Sequence, residues 1–71
     1  MVHANELPLT PGWAPQTDEI WQHADGALYK IVGVALEEAT LRNVVVYVAE
    51  NSDGRLWTRP LPNFMERFTR V

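Results

Sequence analysis

No cysteine occurs among the 71 residues, serine occurs once and histidine twice, and lysine and arginine are missing from the first 29 positions. Each shortage excludes something. Without thiols, neither disulfides nor a thiolate metal site can supplement a core that is small by virtue of chain length, and the chain reads as cytoplasmic and indifferent to redox state. The lone Ser52 lies in a turn with no glycine-flanked elbow to activate it, which gives no nucleophile. His3 and His23 are too few and too far apart in sequence to propose a metal centre. The expectation is therefore a non-enzymatic protein without a cofactor. The amino terminus has neither a basic nor an apolar targeting region, so it reads as unprocessed. The longest apolar run, Val44 to Ala49, falls far short of the roughly 20 residues a membrane helix needs, and no membrane partner is expected. A net charge of −3 argues against a nucleic acid backbone as the main partner.

The charge that is present is unevenly spread. Glu6, Asp18, Glu19 and Asp25 have no basic residue near them in sequence, whereas Arg55, Arg59, Arg67 and Arg70 make the last third locally basic. An acidic arm lying against a basic edge through weak, screened pairs is the plain reading; attraction of an anionic ligand to that edge is the sharper one. Pro8, Pro11 and Pro15 keep residues 1–19 from propagating a helix or a central strand, so this is an irregular arm. Pro11-Gly12 suits the middle of a type II turn, with positive φ at Gly12. Trp13 then pins the arm, either on the body or on a neighbouring subunit.

Residues 20–71 read as short strands separated by turn chemistry. Residues 20–23 are ambiguous, because Thr17 and the acids after it suit a helix start; the Asp25-Gly26 turn before another apolar run favours the first strand of a hairpin. In the strand from Tyr29 to Ala35, strict alternation places Lys30, Val32 and Val34 on one face and Tyr29, Ile31, Gly33 and Ala35 on the other. Gly33 suggests a bend. Glu37 and Glu38 are adjacent on a polar connection and point apart, so they form no shared acid-base site. Val44 to Ala49 is the clearest strand. After a turn at Asn51-Ser52-Asp53-Gly54, a strand from Leu56 to Arg59 ends at Pro60 and Pro62, and residues 64–71 form either a last strand or a short helix with Phe64 and Phe68 on one face. The fold class expected is mainly β, a small antiparallel barrel.

The candidate site is Trp57 with Arg59, on one face of that strand, joined by Trp21 and His23. An indole beside a guanidinium is either a packed corner or the floor of a groove that stacks a planar group while arginine grips an anion. A strand-end histidine such as His23 serves either a local hydrogen bond or a ligand. Tyr47, between valines, is expected in the core. These features suit a binding module for a small planar anionic molecule or a partner peptide. Alternatively the domain is structural and self-associates through strand edges or Trp13.

From Trp21 to Phe68 the chain resembles the DUF1653 family of small bacterial and phage domains. The resemblance is carried by Trp21, His23 and Gly26, by Tyr29, Gly33, Val34 and Ala35, by Thr40, Val45, Val46 and Tyr47, and by Leu56, Trp57, Arg59, Pro60, Leu61 and Phe64. It implies an SH3-like β-barrel and brings no established reaction. By family analogy a phage-type accessory role, sequestering a host small-molecule signal, is a further alternative. Ala24-Asp25 stands where the family has Phe-Lys, and Glu37-Glu38-Ala39 where it has His-Ser-Glu, which exchanges a cation and an imidazole for carboxylates.

Overall fold

The computed structural model describes residues 9–71; His3, Glu6 and Pro8 of the arm lie outside the described residues. Five strands, β1 (Ile20–His23), β2 (Leu28–Glu37), β3 (Arg42–Ala49), β4 (Leu56–Pro60) and β5 (Phe68–Arg70), form one antiparallel sheet, with a short helix, α1 (Leu61–Arg67), between the last two. The order across the sheet is β4-β3-β2-β1-β5, which leaves β4 and β5 as edges. Hydrogen-bonded pairing does not close this sheet into a barrel. Its curl nevertheless brings the two edges within side-chain reach, since the Arg59 guanidinium of β4 lies 5.4 Å from the centre of the Phe68 ring of β5.

The first hairpin forms where the sequence places it. Gly26 takes φ of 100°, a conformation that favours glycine, and the Asp25 carboxylate accepts the Ala27 amide at 2.9 Å. Gly54 likewise takes positive φ, and the Ser52 hydroxyl works within its turn, donating to the Ala49 carbonyl at 2.9 Å. The Pro11-Gly12 expectation is corrected: the Ala14 amide donates to the Pro11 carbonyl, and Gly12 is not among the residues with positive φ. The positive φ of the arm falls instead at Asp18, in a turn where the Glu19 amide donates to the Gln16 carbonyl.

Strict alternation in β2 is also corrected. Ile31 pairs with Tyr47 and Gly33 with Val46, so Val32 is an extra residue opposite no partner, a β-bulge. The bulge reverses the faces beyond it: Ile31 is on the core side before it, and Val34, paired with Val45, is on the core side after it. The Val32 carbonyl, freed from the ladder, accepts the Thr17 hydroxyl at 2.9 Å. Thr17 thus serves the bulge rather than a helix start.

The two readings of the carboxyl-terminal segment both hold, in succession. Pro62 in the first turn of α1 suits a helix start, because the amide it lacks would have no partner there. The helix ends at Arg67, and Phe68 enters β5 in extended conformation. Phe64 and Phe68 stack with ring centres 3.9 Å apart and planes within 7°. Tyr47 meets both rings and Trp21 meets Phe64 edge-on, completing with Ile31, Val45, Leu61 and Ala14 a core in which Phe64 is fully buried. Ala14 and Pro15, rather than Trp13, are the arm residues that the body buries.

Replacing Phe64 by Ala removes the centre of this core. The expected loss is about 3–5 kcal/mol, against ~0.5 kcal/mol or less for the exposed Trp13→Ala, read from urea unfolding. A loss below ~1 kcal/mol for Phe64→Ala would contradict the packing described.

Candidate functional site

Two places on the molecule offer exposed aromatic surface beside charge. The first surrounds Phe68. In β4, Arg59 pairs with the buried Val45 and Trp57 with the buried Tyr47, so both point to the inner side of the sheet, as period-two reading expects. Because β4 is an edge, nothing covers that side fully: Trp57 is 50% exposed, while Arg59 is half-buried. The Arg59 guanidinium lies over Phe68 and donates from Nη1 to Asn63 Oδ1 at 3.1 Å. It takes part in none of the ion pairs among the described residues. His23, which pairs with Phe68 across β1 and β5, places its ring edge-on to the same phenyl at 4.9 Å, and Tyr29 does so at 5.5 Å.

The structure therefore brings Arg59 and His23 to one ring and sets Trp57 beside Tyr47, which itself touches that ring. Trp21 is not with them at the surface. It is 7% exposed, packed on Phe64, with its indole nitrogen donating to Glu19 Oε1 at 3.0 Å. His23 Nδ1 lies 3.1 Å from the Asp25 amide and 3.2 Å from Asp25 Oδ1. One nitrogen serves one of these at a time: the neutral ring accepts from the amide, and a ring protonated there faces the carboxylate. Phe68 and Asn63, which position Arg59, carry no sequence signal of that role.

The second place is a cleft of about 660 Å³ between the arm and the body. Pro11 and Trp13 form one wall; the start of β3 with Arg42 and Asn43, and the segment Pro60 to Asn63 with Glu66, form the other. Asn43 reaches across to the Leu9 carbonyl at 3.4 Å. Trp13 is 64% exposed at this cleft, so the body does not bury it. Arg42 is answered by Glu37, at 3.4 Å, whose carboxylate also accepts the Thr40 hydroxyl at 2.6 Å. Glu37 is thus a structural residue of its loop.

The arm is held to the body by charge as well. Lys30 pairs with Asp18 at 3.6 Å, and Arg70 with Glu19 at 3.4 Å. Glu19 accepts the Gln16 amide and the Trp21 indole on one oxygen. The Gln16 amide, then the indole and then Arg70 hold its carboxyl below its ordinary value, against the opposing pull of desolvation. Asp25 is lowered in the same way, first by the Ala27 amide and then by His23, again against desolvation. Among the described residues no group of His, Asp or Glu is arranged to hold a metal ion, and no helix is long and apolar enough to cross a membrane.

A single curled sheet with one short helix between its last strands, and with aromatic and charged side chains gathered on its open side, defines a small β domain. The chain belongs to the DUF1653 family, described as a protein of unknown function, whose pattern matches residues 19–70. That match begins and ends on the ion-paired Glu19 and Arg70. No curated protein and no solved structure matches the chain.

The two lowered carboxyls give a sign for acid sensitivity. Their stabilisation is complete above the ordinary carboxylate values of 4.5 and 3.8, and disappears as pH falls through the lower folded values. Glu19→Gln keeps the acceptor but not the charge. Its unfolding midpoint should decline less steeply than that of the unaltered protein below pH 4.5; parallel acid limbs would show that Glu19 carries no such linkage.

Proposed function

We propose that the domain is a cytoplasmic, non-enzymatic binding module of SH3-like barrel form, taking a planar anionic molecule at Trp57 and Arg59 with His23 beside them. Support for the barrel comes from the strand order, the short helix between β4 and β5, and the Arg59–Phe68 contact across the two edges. One observation carries the binding reading. The Arg59 guanidinium is fixed at the surface by a phenyl ring and a carboxamide yet answered by no carboxylate among the described residues. A guanidinium held in one orientation with no counterion is preorganised for an incoming carboxylate or phosphate, which it meets through charge-assisted hydrogen bonds. Only Nη1 is committed, to Asn63, which leaves further N–H donors for a bidentate contact. The exposed indole offers a stacking surface in the same strand. Trp21 enters this reading as the residue under the site, since its packing on Phe64 supports the ring that Phe68 stacks on.

Titration with a panel of mononucleotides, followed at the Trp57 indole and Arg59 side-chain NMR signals, tests this directly. Saturable shifts are expected, with affinity lowered roughly ten-fold or more in Arg59→Ala while the far-ultraviolet spectrum stays native. The absence of any saturable shift at millimolar ligand would overturn the small-molecule reading.

A structural reading is favoured by one separate observation. The free edge of β4 exposes Leu56 and Trp57 together, and such an edge is open to pairing with a second copy. Sedimentation across a concentration series distinguishes it: a monomer at the highest concentration excludes self-association, whereas a dimer lost in Trp57→Ala supports it.

A further inference from the structure

The cleft beneath the arm is separate from the Arg59 surface and has a different electrostatic character. Its two charged side chains are not equivalent. Arg42 has Glu37 beside it, whereas Glu66 takes part in no ion pair among the described residues. The charge left unanswered in the cleft is therefore negative. Around it stand the rings of Pro11, Pro60 and Pro62 and the exposed indole of Trp13, rigid flat groups that lose little side-chain entropy when a ligand covers them. Asn43 and Asn63 add carboxamides, the groups best matched to the amides of another main chain.

The volume, about 660 Å³, is in the range of sites that take a drug-sized body or a few residues of extended chain, far more than an ion needs. We propose that this cleft docks an extended segment of a partner protein bearing a basic side chain, with that cation between Glu66 and the Trp13 ring and proline or other flat apolar residues along the Pro60–Pro62 wall. Charge complementarity to Glu66 selects a basic segment. The chain's own arm cannot supply it, since its first 29 residues hold no lysine or arginine, and a net charge of −3 opposes the approach of a second copy. An indole face attracts a cation as a carboxylate does, so the two groups act in the same direction.

The three tryptophans separate cleanly as reporters: Trp21 is buried, Trp57 is on the Phe68 side, and Trp13 is in the cleft. The probe is an acetylated and amidated proline-rich hexapeptide containing one arginine, followed at the Trp13 indole signal in the intact chain. Saturable binding is expected. It should be weakened roughly ten-fold by Trp13→Ala and about two- to five-fold by Glu66→Gln, and unchanged by Trp57→Ala, which belongs to the anion surface and is not among the residues lining the cleft, so that it stands or falls apart from the anion site. The same peptide with glutamate in place of arginine should leave the Trp13 signal unmoved.

No saturable shift with the basic peptide at millimolar concentration overturns the proposal, as does binding that neither cleft variant weakens. Argininamide alone binding as tightly as the hexapeptide would make this a site for a free organic cation and refute the peptide assignment. A Trp13 shift that depends on protein concentration with no peptide present would refute it in favour of self-association.

Discussion

Two phenylalanines four residues apart lie ring on ring at 3.9 Å although one is in a helix and the other in a strand, and the rest of the molecule is arranged about that stack. A lone five-stranded sheet has no second layer to cover its inner side. Here the layer is supplied by Phe64 and Phe68 themselves, with Tyr47, Tyr29 and Trp21 meeting them at an angle. The helix must be short for this to work. Had it run past Arg67, Phe68 would still have neighboured Phe64 one turn along but could not have paired with His23 on β1. The same phenyl that closes the core also supports Arg59 and His23, so packing and the candidate anion surface share one residue.

Much of this was legible because the residues concerned carry unambiguous local signals. Four of the six residues from Val44 to Ala49 are valine, Asp25-Gly26 and Gly54 mark turns that do take positive φ, and the helical reading of the last segment puts Phe64 and Phe68 on one face, where they do stack. The bulge was not legible, since Val32 is one valine in an apolar run and nothing in its identity says that it faces no partner. Its effect was large: the face assignment is right at Ile31 and reversed at Val34. Pro62 did hold the signal for a helix start, which the neighbouring Pro60 obscured by suggesting only an interrupted strand. For the site, alternation put Trp57 and Arg59 on one face, but burial is a tertiary outcome. Trp21, one more tryptophan by composition, is in the core with its polar nitrogen satisfied by Glu19.

Asn63 stands between the two surfaces. Its carbonyl oxygen holds Arg59 toward Phe68, and its side chain also lines the cleft at Trp13. The anion surface and the cleft thus have opposite unanswered charges, Arg59 and Glu66, on either side of one amide. The carboxylates of Asp25 and Glu37 have visible local roles. Asp25 caps its own turn, and Glu37 holds Thr40 and Arg42. Glu37 is committed within its loop, whereas Asp25 also lies 3.2 Å from His23 Nδ1 and so brings a carboxylate to the edge of the Phe68 surface.

The pairing of β1 with β5 joins distant parts of the chain, down to the Val71 amide donating to the Ile20 carbonyl. By contrast β2, β3 and β4 form a meander from neighbours in sequence. Closing a long loop costs entropy before any contact offsets it, which ranks the docking of β5 as the slow step of assembly and its release as an early step of opening. Phe68 travels with that strand. The support beneath Arg59 accordingly exists only once the last residues have reached home, and a chain cut short before Phe68 would lose together the ring that covers its sheet and the ground on which its guanidinium rests.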